Sequence, residues 1–85
     1  MTISYDATAD VLYIMFAECD GVECEYAERQ EGLIIRVDPS SGKIYGCTIT
    51  SFMRRLQREP EIVIPEVGAV PSSVLLRMAQ LSAAR

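Results

Sequence analysis

Residues 33–49, LIIRVDPSSGKIYGCTI, predict an antiparallel β-hairpin. Residues 39–43 form a loop of hairpin length, with Pro39 and Gly42 at ordinary turn positions. This loop sets the apolar residues of one strand opposite those of the other, pairing Leu33, Ile35 and Val37 with Ile49, Cys47 and Tyr45. A slip of one residue would place apolar side chains opposite polar ones. The segment therefore predicts two strands that share a buried face.

Three more candidate strands precede this hairpin. They are Ile3 to Tyr5, Val11 to Ala17 and Val22 to Glu28. Asp20-Gly21 is a strong hairpin signal, so we expect the second and third of these strands to pair directly. Alternation in the third strand directs its apolar residues inward, namely Val22, Cys24 and Tyr26. The pattern predicts an antiparallel β-meander of four to five strands.

The strand from Val11 to Ala17 is apolar on both faces. Leu12, Ile14 and Phe16 share one face. The other face carries Val11, Tyr13 and Met15. Strands of this kind are covered on both sides. We therefore expect a partner sheet or a partner chain on the second face, and its three residues are interaction candidates.

After Thr50 the apolar repeat changes from two residues to about 3.6, which indicates a helix. Ser51 is a candidate N-cap, and the helix is predicted over residues 52–58, before Pro60. Its apolar stripe comprises Phe52, Met53 and Leu56. Its other face carries Arg54, Arg55 and Arg58, which we expect to pair with acidic residues of the same chain.

The C-terminal third predicts one short strand and one helix. The strand is Glu61 to Ile64, and Glu66 to Val70 is predicted as a linker. The helix is predicted over about residues 71–84, with Pro71 and Ser72 at its start. Its apolar stripe comprises Val74, Leu75, Met78 and Leu81. These residues are the second set of interaction candidates, because a stripe this broad can pack on a second subunit.

The fold class predicted is α+β, a small antiparallel sheet followed by a short helix and a C-terminal helix. Residues 1–85 form a single domain, in which 1–58 hold the sheet and the short helix and 59–85 form an extension. A domain of this size buries roughly 60–65% of its unfolded surface. The apolar content of 49% is high for such a thin core. It predicts a protein-interaction domain that forms a homodimer or higher oligomer.

The composition removes several classes of function. The absence of His excludes imidazole catalysis and His-ligated metal sites. Cys19, Cys24 and Cys47 form no metal or disulfide pattern, and with no secretory leader they indicate free thiols in the cytoplasm. The longest apolar stretch is far shorter than the ~20 residues of a membrane helix. No nucleophile, base and orienting group occur together, so we predict no enzyme, no cofactor and no membrane partner.

Charge is distributed unevenly. Residues 1–50 carry net charge -6 and residues 51–85 carry +2, which argues against nucleic acid as a partner. The acidic residues are concentrated around the third strand: Glu18, Asp20, Glu23, Glu25, Glu28 and Glu31. Such a series either forms a solvent-exposed sheet face whose charges prevent edge-to-edge pairing, or steers a basic partner toward the sheet. Glu23 and Glu25 are the candidates for that contact.

The N-terminal segment ISYDATADVLYIMF, residues 3–16, resembles the domain of unknown function 2283 family, small bacterial and archaeal proteins with the signature YDxxADxLYI. The matching residues are Tyr5, Asp6, Ala9, Asp10, Leu12, Tyr13 and Ile14. Residues 31–38, EGLIIRVD, and 42–46, GKIYG, also stand where the family has similar segments, so the resemblance covers roughly residues 3–56. It implies a compact antiparallel sheet with a short helix behind it, and sometimes a toxin-like protein encoded nearby. An antitoxin-like role on a basic protein is therefore the alternative function.

Asp6 and Asp10 flank the first turn of this motif, after Tyr5. Two carboxylates around one turn are able to bind a divalent cation or a small molecule. Aspartates at such turns more often accept hydrogen bonds from backbone amides. Both interpretations stay open from the sequence, with the structural role favoured.

Overall fold

The computed structural model describes residues 1–19 and 21–83. Five strands form one antiparallel sheet: β1 (Thr2–Asp6), β2 (Val11–Met15), β3 (Glu25–Gln30), β4 (Leu33–Val37) and β5 (Ile44–Thr50). After it come α1 (Phe52–Arg58), the two-stranded sheet of β6 (Glu61–Ile64) and β7 (Gly68–Pro71), and α2 (Ser72–Ala83). The predicted α+β class, with an antiparallel sheet followed by a short helix and a C-terminal helix, is confirmed.

The strand order is β1-β2-β5-β4-β3, so β1–β2 and β3–β4–β5 are two antiparallel units joined by the pairing of β2 with β5. The predicted hairpin at Asp20-Gly21 is wrong. Both edges of β2 are occupied, by β1 and β5, and β3 pairs with β4 at the far side of the sheet. Asp20 itself lies outside the described residues. Local turn chemistry favoured the hairpin, but pairing with β5 places Leu12 and Ile14 of β2 beside Ile49 and Cys47 on one buried face.

The predicted register of β4 and β5 is correct for most of its length. Leu33 pairs with Ile49, and Ile35 pairs with Cys47. A register shift after Arg36 then places Ile44, rather than Tyr45, opposite Val37. The paired residues Leu33, Ile35, Cys47 and Ile49 all lie on the buried face.

The predicted alternation of β3 is inverted. Ala27 pairs with Ile35 of the core face and is half-buried, whereas Tyr26 points to the other side and is 69% exposed. Val22 and Cys24 precede the strand, which begins at Glu25. The error has a physical reason: β3 is an edge strand, and its inner face carries only a small alanine, so its hydrophobic pattern is weak.

Helix α1 has the predicted bounds, but it turns a different face to the core. Phe52 is fully buried, while Met53 is exposed and Arg55 is buried. The buried positions therefore follow the spacing i, i+3, i+4, with a half-buried Leu56 as the third. Arg55, predicted on the face opposite the apolar stripe, instead turns toward the core, because its guanidinium has acceptors inside the fold.

Beyond α1, the predicted linker at Glu66 to Val70 is largely a strand. Gly68 to Val70 belong to β7, which pairs with the predicted strand β6. Helix α2 then begins at Ser72, whose backbone amide donates to the Pro60 carbonyl. Residue 84, at the end of the predicted helix, lies outside the described residues.

Helix α2 packs along β1 and covers that edge of the sheet. The Ser82 hydroxyl accepts from the Tyr5 amide at 3.2 Å and donates to the Ile3 carbonyl at 3.3 Å. Bonds of this kind occupy the free backbone groups of an edge strand. The buried face of α2 contains Leu75 and Ala79. The remaining edge strand of the sheet is β3.

The core lies on one face of the five-stranded sheet. Its members come from the sheet, both helices and β6: Leu12, Ile14, Leu33, Cys47, Ile49, Phe52, Ile62, Ile64, Leu75 and Ala79. Over residues 1–19 and 21–83, neither helix is long and apolar enough to cross a membrane. The covering elements all lie on the core side, which leaves the opposite sheet face as the main open surface.

Candidate functional site

The open face consists of two rows of side chains that cross the sheet. The first row, in strand order, is Thr2, Met15, Gly46, Arg36 and Tyr26. The second row is Ser4, Tyr13, Thr48, Ile34 and Glu28. Three large side chains are freely accessible here, since Tyr13 is 45%, Met15 41% and Tyr26 69% exposed. Aromatic residues, methionine and arginine are the types enriched in protein interfaces.

Gly46 creates a depression at the centre of the open face. A Cβ atom at this position would lie 2.9 Å from the Ile14 carbonyl oxygen, so glycine allows β5 to approach β2 closely. The resulting hollow has a volume of about 200 Å³. It is bordered by Tyr13 and Met15 on one side and by Arg36 and Tyr26 on the other.

Arg36 adds an incompletely bonded cation to this face. Its guanidinium lies 5.9 Å from the centroid of the Tyr26 ring, a cation–π arrangement. Its buried Nε has no hydrogen-bond acceptor among the described residues. Buried donors of this kind are uncommon in folded proteins, because each unmet donor carries a desolvation cost. The guanidinium therefore retains bonding capacity at the border of the hollow.

The structure distributes the predicted interaction residues over several places. Tyr13 and Met15 lie on the open face, and the half-buried Val11 lies at its rim beside Thr50. Of the helical set, Leu75 is buried and Met78 is half-buried against the chain's own core. Val74 and Leu81 remain exposed, at 45% and 62%. The buried face of α2 is therefore offset from the predicted stripe, with Leu75 turned to the chain's own core and Val74 and Leu81 left at the exposed margin.

Glu23 and Glu25 are exposed, as are Glu18, Glu28 and Glu31. These residues line β3 and the segments that flank it. Because β3 is an edge strand, its carboxylates also discourage edge-to-edge pairing with another sheet. The acidic series is thus accessible, and of its described members only Glu28 belongs to the rows of the open face, at the β3 end.

Asp6 and Asp10 of the N-terminal motif bind different groups of the protein. Asp6 Oδ1 accepts from the backbone amides of Thr8 and Ala9, at 3.0 and 3.1 Å, and so organises the turn. Asp10 Oδ1 accepts from the Tyr5 hydroxyl at 2.7 Å and from the Met53 amide at 3.0 Å. Both carboxylates therefore accept hydrogen bonds from groups of the protein itself.

Asp10 is the N-terminal cap of α1, although it lies far from that helix in sequence. Its carboxylate accepts the amide of Met53 and its carbonyl accepts that of Phe52 at 3.0 Å. Ser51 occupies the cap position with φ of 49°, and its side chain bonds to no helix amide in the described residues. Ser51 therefore stands at the predicted N-cap position, but the capping hydrogen bond comes from Asp10. No local signal in the sequence could have identified Asp10.

Tyr5 completes this junction between the first hairpin and α1. Its ring lies 5.6 Å from that of Phe52, and its hydroxyl donates to Asp10. The hydrogen bond to the Asp10 carboxylate, followed by desolvation, raises the pKa of Tyr5 from 10 to about 12. The neutral phenol is therefore the form that the fold stabilises.

This shift predicts a loss of stability at alkaline pH. Because the pKa of Tyr5 is higher in the folded protein, its contribution is complete below pH 10 and is lost as the pH rises toward 12. Tyr5→Phe removes the titrating hydroxyl. Urea unfolding of both proteins between pH 8 and pH 12 should show the difference in unfolding free energy shrinking above pH 10. A difference that stays constant over that range would contradict the assignment, since Cys47 and the other titrating groups are present in both proteins.

A second cavity, of about 850 Å³, lies between α1 and the β3–β4 turn. Arg55 is 6% exposed and donates to the Glu31 carbonyl at 2.9 Å and to Gln30 Oε1 at 3.2 Å. Its Nε lies 2.8 Å from Glu59 Oε2 in an ion pair. The cavity walls carry both signs of charge, from Arg54 and Arg58 as well as from the glutamates. Arg55 therefore ties α1 to the sheet, as expected for an arginine paired within its own chain.

The three cysteines are free thiols and differ in environment. Cys47 is 3% exposed in the core, and burial raises its pKa to about 11. The Sγ atoms of Cys19 and Cys24 lie 2.9 Å apart in the segment that connects β2 to β3. Desolvation and the contact with Cys19 raise the pKa of the Cys24 thiol. Sequence spacing did not reveal this proximity.

Comparison with curated proteins and with solved structures gives no match. The sequence profile of a family described as a protein of unknown function (DUF2283) matches residues 2–52. That match spans β1 to β5 and the first residue of α1, so it includes the Tyr5–Asp10 motif and the whole open face. The chain is therefore a member of the domain of unknown function 2283 family.

Proposed function

We propose that this protein is a small, non-enzymatic interaction domain that forms a homodimer through the open face of its sheet. The observation that carries the proposal is the pair of cross-strand rows, which expose Tyr13, Met15 and Tyr26 on a face covered by no helix or strand of the described residues. Three free thiols support a reducing compartment, from which we infer the cytoplasm.

The shape of the open face suits a second copy of the chain. Its centre, on β5, carries the small residues Gly46 and Thr48, and larger side chains stand on either side. A two-fold axis near Gly46 brings Tyr13 and Met15 of one copy onto Arg36 and Tyr26 of the other. Isologous contacts of this kind are the commonest form of dimer. The glycine hollow then accommodates a side chain from the opposite copy.

The area of the open face indicates how tightly the proposed dimer should bind. Five strands of about five residues, about 4.8 Å apart, present roughly 400 Å². Two such faces bury roughly 800 Å² in total, below the about 1,000 Å² of stable specific interfaces and within the range of weak, transient contacts. We therefore expect a dissociation constant on the order of micromolar.

Tyr13→Glu tests the proposal, because it places a carboxylate in the proposed interface of each copy, where dimerisation would desolvate it. Light scattering and sedimentation between about 1 µM and about 500 µM should show a concentration-dependent dimer for the wild type and a monomer for the variant. Val74→Glu is a matched control, since Val74 is also 45% exposed but lies on α2.

The control should dimerise like the wild type. A strict monomer in the wild type would end the proposal. If Tyr13→Glu still dimerised while Val74→Glu became monomeric, the dimer contact would lie on helix α2 instead of the open face. Circular dichroism of each variant verifies that the fold is retained.

The exposed acidic series supports a second candidate function, binding of a basic protein in an antitoxin-like manner. Glu23 and Glu25 stand at the start of β3, on the remaining edge of the sheet. Co-expression with the product of the adjacent gene should yield a complex that Glu23→Lys with Glu25→Lys abolishes and high salt weakens. The same double variant should leave the homodimer intact, which separates this function from the first.

A further inference from the structure

The segment between β2 and β3 brings two thiols into contact without forming a bond between them. Cys19 Sγ and Cys24 Sγ are 2.9 Å apart. A disulfide requires about 2.05 Å, so the two sulfur atoms need to approach by less than about 1 Å. In the described residues, the only other cysteine is Cys47, which is enclosed in the core.

The backbone around this pair holds the two sulfurs in place. The Val22 amide donates to the Cys19 carbonyl at 3.2 Å, which closes a turn between the two cysteines. On the N-terminal side, the amides of Phe16 and Ala17 both donate to the Tyr45 carbonyl and fix the segment to β5. On the C-terminal side, Cys24 directly precedes the first residue of β3. The proximity of the sulfurs is therefore a product of the fold.

Both cysteines are also partly exposed to solvent. Cys19 and Cys24 are half-buried, whereas Cys47 is 3% exposed. A small disulfide in solution can therefore reach the first two thiols and is kept from the third. Thiol–disulfide exchange needs this access, together with a second thiol close enough to resolve the mixed disulfide.

We propose that Cys19 and Cys24 form a reversible redox site that exchanges with low-molecular-weight disulfides. In the first step one of the two thiolates attacks one sulfur of oxidised glutathione, forming a mixed disulfide with glutathione and releasing one glutathione thiolate. In the second step the other thiolate attacks the cysteine sulfur of that mixed disulfide, forming the Cys19–Cys24 bond and releasing the second glutathione. The two cysteine protons pass to the two glutathione thiolates, so one disulfide is consumed and one is formed. Excess reduced glutathione reverses both steps. The site does not depend on the dimer proposed above.

The chemistry fits a protein in a reducing compartment. Disulfides of cytosolic proteins are usually transient, and many sense or relay oxidation. The raised pKa of the Cys24 thiol keeps it protonated at neutral pH, so we expect exchange to be faster at pH 9 than at pH 7.

The test treats the reduced full-length protein with oxidised glutathione and measures its intact mass after acid quenching. The wild type should lose two hydrogen atoms and retain no glutathione. Cys19→Ser and Cys24→Ser should each retain one glutathione, because neither variant has the resolving thiol. Cys47→Ala is the control and should behave like the wild type.

Peptide mapping of the wild type gives a readout that does not depend on any variant. Cleavage after Glu18 and Glu23 separates the two cysteines into peptides that only a Cys19–Cys24 disulfide holds together. That linked pair should appear after oxidation and disappear on addition of reduced glutathione. Wild-type protein that retains glutathione, links to a second chain or remains reduced would overturn the proposal.

Discussion

Replacing Asp10 with alanine is expected to lower the free energy of unfolding by about 2–4 kcal/mol, as measured by urea denaturation. Loss of a helix N-cap costs about 0.5–2 kcal/mol. Loss of a hydrogen bond to a charged group costs about 1.5–3 kcal/mol, and here the Tyr5 hydroxyl loses its acceptor. Asp10 also has φ of 56°, where alanine is strained by about 1–2 kcal/mol. The same carboxylate serves both the helix cap and the Tyr5 hydroxyl, so these costs overlap. The expected loss of about 2–4 kcal/mol is therefore smaller than their sum.

Three other variants separate these contributions. Asp10→Asn keeps an acceptor for Met53 and tolerates the left-handed backbone, so it should lose less than half as much stability. Asp6→Ala removes only the turn bonds to Thr8 and Ala9, and a cost of about 1 kcal/mol is expected. Ser51→Ala should be nearly neutral, because the Ser51 hydroxyl caps no amide in the described residues. A large loss in Ser51→Ala with a small loss in Asp10→Ala would contradict the assignment of the cap.

Arg55→Met should destabilise the fold by about 2–4 kcal/mol, because it removes the donors that tie α1 to the β3–β4 turn. The Glu31 carbonyl and Gln30 Oε1 both lose their partner. Glu59, the third partner, is 38% exposed and can be hydrated, which keeps the cost below that of a fully buried ion pair.

Arg55→Lys serves as the informative companion variant. A single ammonium cannot reach the Glu31 carbonyl, Gln30 and Glu59 together, so lysine should recover only part of the loss. Arg54→Met, at an exposed position of the same helix, should change stability by less than about 0.5 kcal/mol. If chemical denaturation showed that Arg54→Met and Arg55→Met lower the free energy of unfolding equally, the arginines would act through the overall charge of the helix rather than through the hydrogen bonds of Arg55.

Much of the secondary structure could be predicted from local patterns. The bounds of α1 and β6, and the pairing of Leu33 with Ile49, follow from apolar spacing, Pro positions and loop length. The errors occur where partners distant in sequence compete with local preference. β2 pairs with β5 rather than with β3, and the arginine face of α1 includes a buried Arg55.

The candidate site was predicted in part. Alternation alone indicated that Tyr13 and Met15 share a face opposite the core of β2. The contribution of Tyr26 and Arg36 was missed, because an edge strand with a weak pattern gave the wrong inward face for β3. Sequence spacing also gave no indication that Cys19 and Cys24 meet, since that contact depends on a turn within an irregular connection.

The sequence by itself determined the α+β class, most strand and helix positions and the family, because each depends on patterns within a few residues. Only the tertiary structure decided that Asp10 caps α1, that Gly46 forms a hollow in an open sheet face, and that the two thiols touch. Each of these depends on side chains brought together by strand order and packing. Hydrophobic spacing specifies which face of an element is buried, but not which distant residue meets its polar groups.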